Sequence, residues 1–221
     1  MCFSATASFV ASGALAASGV AIARIPKPKS AIPLSIFPVI FALHQFIEGL
    51  LWLNYRGFIA DNYKSVAVYA FILIAFVLWP IFVPFSAYVL ESGRIRRVII
   101  LLCQVTGVFS GLMNLAIIIR GPVSASVVGQ SFVYTTNTPD ILLVPYLISI
   151  FIPFLVSSNK RLVTLGVALA VLCVIAGFMA SNGTFPSLWC FYAAILSLFL
   201  YFFFRHSANR NRKAAATNSS S

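Results

Sequence analysis

The chain has 221 residues, 61% of them hydrophobic and only 9% charged, and a mean hydropathy of +0.99. Soluble domains carry about a quarter charged residues, and a globule of this size has no interior large enough to hide so much apolar side chain. A water-soluble fold and a disordered chain are both excluded. Fifteen Lys and Arg against four Asp and Glu give a formal charge of +11. The basic residues sit between apolar runs, where they orient helices and meet lipid headgroups, so the charge carries no nucleic-acid reading.

A hydrocarbon core about 30 Å thick needs roughly 20 helical residues. Seven runs meet that need, at about 5–23, 31–54, 65–90, 96–119, 140–158, 162–181 and 185–204. They are twice the length of barrel strands and apolar on all faces, so the expected class is all-α, an integral membrane seven-helix bundle. The first run is rich in Ala, Ser and Gly, with Ser12/Ala16 and Gly13/Ala17 as small faces for packing. No basic residue precedes it, whereas Arg24, Lys27 and Lys29 follow. That is the wrong flank for a secretory signal and suits a first helix inserted with its N-terminus outside. Pro80 and Pro84 in the third run, and Pro145 and Pro153 in the fifth, predict kinks. Gly107 and Gly111 form a GxxxG pair in the fourth.

The long connection 120–139 contains Val127-Val128, then Gly129-Gln130-Ser131, then Phe132-Val133-Tyr134. That order predicts a short β-hairpin capping the bundle. Residues 207–221 are Ala-, Asn- and Ser-rich and predict a disordered polar tail after a single transmembrane domain over 1–206.

Arg24, Lys27, Lys29, Arg94, Arg96, Arg97, Lys160, Arg161, Arg205, Arg210, Arg212 and Lys213 fall on one side of this arrangement. Arg56, Lys64 and Arg120 fall on the other. The positive-inside rule then puts the N-terminus outside and the C-terminus in the cytoplasm, as expected for a multi-pass protein of a bacterial cytoplasmic membrane.

Ionisable groups inside spans are costly and need a partner or a cavity. Two lie deep, His44 and Glu48, in His44-Gln45-Phe46-Ile47-Glu48-Gly49. A spacing of four places both on one helical face. Three readings stay open: a structural pair in which each satisfies the other, a proton relay, or metal ligands. Cys2 adds to the third. Removal of Met1 would leave Cys2 with a free α-amine beside its thiol, on the same outer side as Glu48. Thiolate, amine, imidazole and carboxylate together suit zinc, copper or iron. The expected ligands are therefore Cys2, His44 and Glu48. Asn114, Asp140, Tyr146, Trp189 and Cys190 collect at the same outer level as supporting or substrate-binding groups, with Ser187 and Tyr192 near them. For Trp52 and Trp189 an interfacial aromatic belt is the expected role.

Cys2, Cys103, Cys173 and Cys190 are too scattered for a disulfide framework or a CxxC zinc motif. The seventh run has no lysine for a retinal Schiff base, and there is no GxSxG, HExxH or P-loop. The inverted-repeat signal of transporters is weak.

The opening Met1-Cys2-Phe3-Ser4-Ala5-Thr6-Ala7-Ser8 resembles a family of uncharacterised, mostly bacterial, multi-span membrane proteins that begin MCFSA. The resemblance continues through Gln45…Glu48-Gly49…Trp52, Trp79-Pro80…Val83-Pro84, Arg120-Gly121-Pro122-Val123-Ser124-Ala125 and Ser187-Leu188-Trp189-Cys190, in matching order over nearly the whole chain. It implies the fold and a whole-length single unit, and brings no activity with it. Many members carry a His-His pair after the loop glycine; Gln130-Ser131 stands there in this chain, so no loop-histidine ligand is carried over.

Function is expected in one of three classes. The first is a membrane metalloprotein, enzymatic if a coordination position stays open. The second is a proton-coupled small-solute permease or a sensor, using Glu48 and His44. The third is a structural or partner-binding membrane protein.

Overall fold

A computed structural model describes residues 4–180 and 184–219, with side chains described to residue 210. Among the described residues there are seven helices: α1 (Ala5–Ala23), α2 (Lys29–Tyr55), α3 (Asp61–Leu90), α4 (Arg94–Arg120), α5 (Asp140–Leu155), α6 (Lys160–Met179) and α7 (Phe185–Ser219). All but α5 are long and apolar enough to cross a membrane. The protein is a multi-pass membrane helix bundle.

The fifth helix corrects the expected count of seven full spans. A 13-residue α-helix follows a single 3-10 turn, Asp140–Leu142. The helix stops at Leu155 instead of running to 158, and its length, roughly 25 Å, falls short of a hydrocarbon core. The physical reason is Glu91, which takes the Ser158 N–H at 2.7 Å that a continuing helix would give to a carbonyl one turn back, with Ser157 Oγ on the same carboxylate at 3.3 Å. The last helix departs in the other direction. It is continuous to Ser219, through the segment expected as a disordered tail from 207. Ala214-Ala215-Ala216 beside Arg212 and Lys213 are good helix formers.

The prolines act mainly through α3. A π-helical stretch, Leu73–Leu78, interrupts it, and the α-helix resumes at Trp79 with Pro80 in its first turn. Pro84 lies inside that second part and has no N–H to give the Pro80 carbonyl. Helix α4 exploits the gap. A Cβ at Gly107 would overlap the Pro80 carbonyl oxygen, and one at Gly111 would lie 2.8 Å from Ile81 Cδ1. Gln104 Nε2 donates to the Ile81 carbonyl at 3.1 Å. The GxxxG pair therefore seats α4 on the opened stretch of α3. Pro145 falls in the first turn of the α-helical part of α5, Leu143–Leu155, where a missing N–H costs little.

The hairpin forms as expected, with β1 (Ser124–Val128) antiparallel to β2 (Ser131–Thr135) and Val128 paired with Ser131. The two-residue turn needs a left-handed residue, which Gly129 supplies at φ 62°. The buried side of β2 seals the bundle with aromatics. Phe132 meets Trp52 at 4.7 Å between ring centroids, and Tyr134 stacks on Phe71 at 4.1 Å.

Opposite the hairpin lies a basic end. Glu91 after α3 joins Ser158 after α5, and the Lys27 ammonium sits 5.9 Å over the Phe204 ring of α7. Arg161 and His206 share one groove there. Trp52, Trp79 and Trp189 are buried in the core, which corrects the aromatic-belt expectation for Trp52 and Trp189. Trp79 stacks on Phe41 at 4.2 Å.

Candidate functional site

Beneath the hairpin, α2 turns its polar face inward. His44, Gln45 and Glu48 are each 0% exposed, and the spacing of four brings His44 and Glu48 to one side of the helix. His44 Nε2 lies 3.2 Å from the Phe71 carbonyl of α3. A carbonyl can only accept, so Nε2 carries the hydrogen and Nδ1 keeps a lone pair in the neutral ring. Nδ1 has no hydrogen-bond partner among the described residues. The rings of His44 and Phe71 also pack at 4.0 Å, and Phe71 is in turn covered by Tyr134. Phe71 lies just before the π-helical stretch, a feature frequent at functional sites.

Glu48 is tied to α7. Ser187 Oγ donates to Glu48 Oε1 at 2.5 Å, linking residues far apart in the chain. Cys190, one turn along α7 from Ser187, is buried. Trp189 and Cys190 line one cavity with Tyr146 of α5, whose hydroxyl accepts a hydrogen bond from the Trp189 indole. Three helices thus bring Glu48, Ser187, Cys190, Tyr146 and Trp189 into one buried group. His44 and Glu48 do not hydrogen-bond each other, because Nε2 is committed to Phe71 and Nδ1 is unpartnered among the described residues. The mutually satisfied pair expected as one reading does not form.

Asn114 and Asp140 are placed elsewhere. They line a pocket of about 160 Å³ with Tyr146, Thr138 and Phe76, and neither His44 nor Glu48 borders it. Asn114 Nδ2 donates to the Ser110 carbonyl at 2.9 Å, and its Oδ1 accepts from Thr138 Oγ1 at 3.1 Å. Asn114 thereby fastens the irregular segment that follows the hairpin to α4. Asp140 is exposed at the start of α5, where an acid suits the positive end of the helix dipole. Tyr146 is the one residue shared by this pocket and the buried group. Cys2 lies outside the described residues. Among the described residues no group of three or more His, Cys, Asp or Glu is placed to hold a metal ion.

Below Cys190 and Trp189 an apolar cavity of about 50 Å³ extends toward the basic end, walled by Phe41, Trp79, Ile150, Leu169 and Leu200. A second buried carboxylate escaped the sequence reading. Glu91 is 5% exposed and accepts from Ser92 N, Gly93 N, Ser157 Oγ, and both the amide and hydroxyl of Ser158. The signal available was an acid alone among basic residues, followed by Ser-Gly, on the most positive face of the chain.

No curated protein and no solved structure matches the chain at the level that would carry an argument. A sequence-family model described as a family of unknown function (DUF6629) matches residues 1–217, which is nearly the whole length. With its buried polar group under a hairpin and its membrane-crossing helices, the chain belongs to this family, DUF6629.

Proposed function

We propose that the protein holds a metal cation in the hairpin half of its bundle, with His44 and Glu48 as two ligands and Cys2 as the third. The observation that carries this reading is the state of His44. Its Nε2–H is anchored on a backbone carbonyl while Nδ1 offers a buried lone pair. Metal-binding imidazoles are oriented in this way, the second ring nitrogen donating to a carbonyl or carboxylate. Glu48 supplies charge one turn away, and Ser187 fixes one of its oxygens. An N-terminal Cys2, freed by loss of Met1, adds an amine and a thiolate that form a five-membered chelate. That donor set suits zinc, copper or iron.

In the same proposal the N-terminus lies outside a bacterial cytoplasmic membrane and the site opens toward the outer face. Tyr146, Trp189 and Cys190 are the groups nearest to meet a small substrate if a coordination position stays open. The proton-coupled permease is less well supported, because the cavity beneath the site is apolar and offers protons or polar solutes no continuous path. Metal analysis of purified wild-type, Cys2→Ser, His44→Ala and Glu48→Gln proteins tests the reading. We expect bound metal in the wild type, and a drop of about tenfold or more in each variant at fixed free metal, as loss of one ligand entails. Equal metal content in all four overturns it.

A further inference from the structure

A groove of about 480 Å³ runs between α6 and α7 at the basic end of the bundle. Leu165, Ala168, Phe199 and Phe202 form its apolar length, and Arg161 and His206 stand at one end of it. Phe199 and Phe202 are 57% and 62% exposed, so the groove faces lipid instead of the bundle interior. We propose that this groove is a binding site for an anionic phospholipid, with the phosphate on Arg161 and His206 and an acyl chain along the phenylalanines.

Charge and shape select this occupant. Arg161 offers a planar fork of donors that matches a phosphate. Among the described residues no carboxylate pairs with it: Glu91, the acid at that end, has both oxygens engaged by Ser157, Ser158, Ser92 and Gly93. Lys160, Arg205 and Arg210 lie within a few residues of Arg161 or His206 in the sequence and add to the positive charge of that end of the bundle. From Arg161 to Ala168 the lining changes from charged to fully apolar within two helical turns, the polarity profile of a lipid between headgroup and chain. Basic pockets between membrane helices recognise anionic headgroups in this manner. The groove is also continuous in its walls with the interior: Leu165, Leu196 and Leu200 line both it and the cavity below Cys190. The inference is independent of the metal reading.

The test is native mass spectrometry of the purified protein in neutral detergent. It is titrated with phosphatidylglycerol, with phosphatidylcholine of the same chains, and with inorganic phosphate. Wild-type protein should retain phosphatidylglycerol roughly tenfold more tightly than phosphatidylcholine, because only the former brings net negative charge to the basic mouth. The double variant Arg161→Gln/His206→Gln should lose that preference. Arg24→Gln, which removes a charge from the same end but outside the groove, should keep it. Equal retention of the two lipids by the wild type overturns the proposal without recourse to any variant. So does full displacement of phosphatidylglycerol by inorganic phosphate, which would mark an anion site without a chain. Loss of preference in Arg24→Gln as large as in the double variant overturns it as well, by assigning the effect to diffuse charge.

Discussion

Ser158 gives the Glu91 carboxylate two hydrogen bonds, its backbone N–H at 2.7 Å from Oε2 and its hydroxyl at 2.6 Å from Oε1. The pair clamps the loop after α3 to the loop after α5. Burial alone would raise the pKa of Glu91. The Ser158 hydroxyl and amide, the Gly93 amide and the Ser157 hydroxyl outweigh burial and hold it at about 2, against an ordinary 4.5. A carboxyl depressed in the folded state stabilises the fold above its unfolded pKa, and that contribution is lost as pH falls from 4.5 toward about 2. Glu91→Gln should therefore lower stability at neutral pH by about 1–3 kcal/mol and flatten the acid limb of the melting profile. Thermal melts in detergent from about pH 6 to about pH 2.5 check this; an unchanged acid slope in the variant would contradict it.

The approach of α4 to α3 depends on a missing side chain. A Cβ at Gly107 would overlap the Pro80 carbonyl, and backbone cannot rotate away as a flexible side chain can. Gly107→Ala should cost on the order of 3 kcal/mol by overpacking. Gly177→Ala on α6 serves as the control, because nothing lies within 4 Å of a Cβ there. It should be neutral or stabilising by up to about 1 kcal/mol through helix propensity. Comparable melting temperatures for the two variants would show that the interhelical contact carries no such constraint.

The short helix α5 makes membrane topology a sharp experiment. In the proposed orientation, alkaline phosphatase fused after residue 135 or 182 should be active, and fusions after 95 or 159 inactive. Positions 135 and 159 flank α5. Matching activity at those two sites would mean that α5 does not cross, and the reverse pattern at all four would invert the protein.

Much of the bundle could be read directly. The helical runs, the hairpin about Gly129, and the clustering of basic residues at one end follow from hydropathy, turn chemistry and charge, all of which are local along the chain. His44 and Glu48 stand out for the same reason, since an ionisable residue in an apolar run is visible without any partner. Their partners are not local. Ser187 and Phe71 are an ordinary serine and phenylalanine in sequence, and only packing brings the hydroxyl to Glu48 and the carbonyl to His44. Asn114 and Asp140 illustrate the converse: the sequence suggests the same level for them as for His44 and Glu48, but they line a separate pocket that neither of those residues borders.

Composition alone settles that this chain lives in a bilayer, because the energy of exposing so many apolar side chains to water depends on their sum and not on their arrangement. Periodicity and length likewise settle the helices, since a backbone in lipid must satisfy its own hydrogen bonds. Tertiary structure decides the rest. It shortens α5, because Glu91 competes for the serines that would have extended it. It draws Trp52 and Trp189 inward, where the rings of Phe132 and Phe151 pack against them. It leaves His44 Nδ1 with a lone pair, because Phe71 claims the other nitrogen. Each outcome is a competition among groups distant in sequence, settled by which of them the packed helices bring within hydrogen-bonding reach.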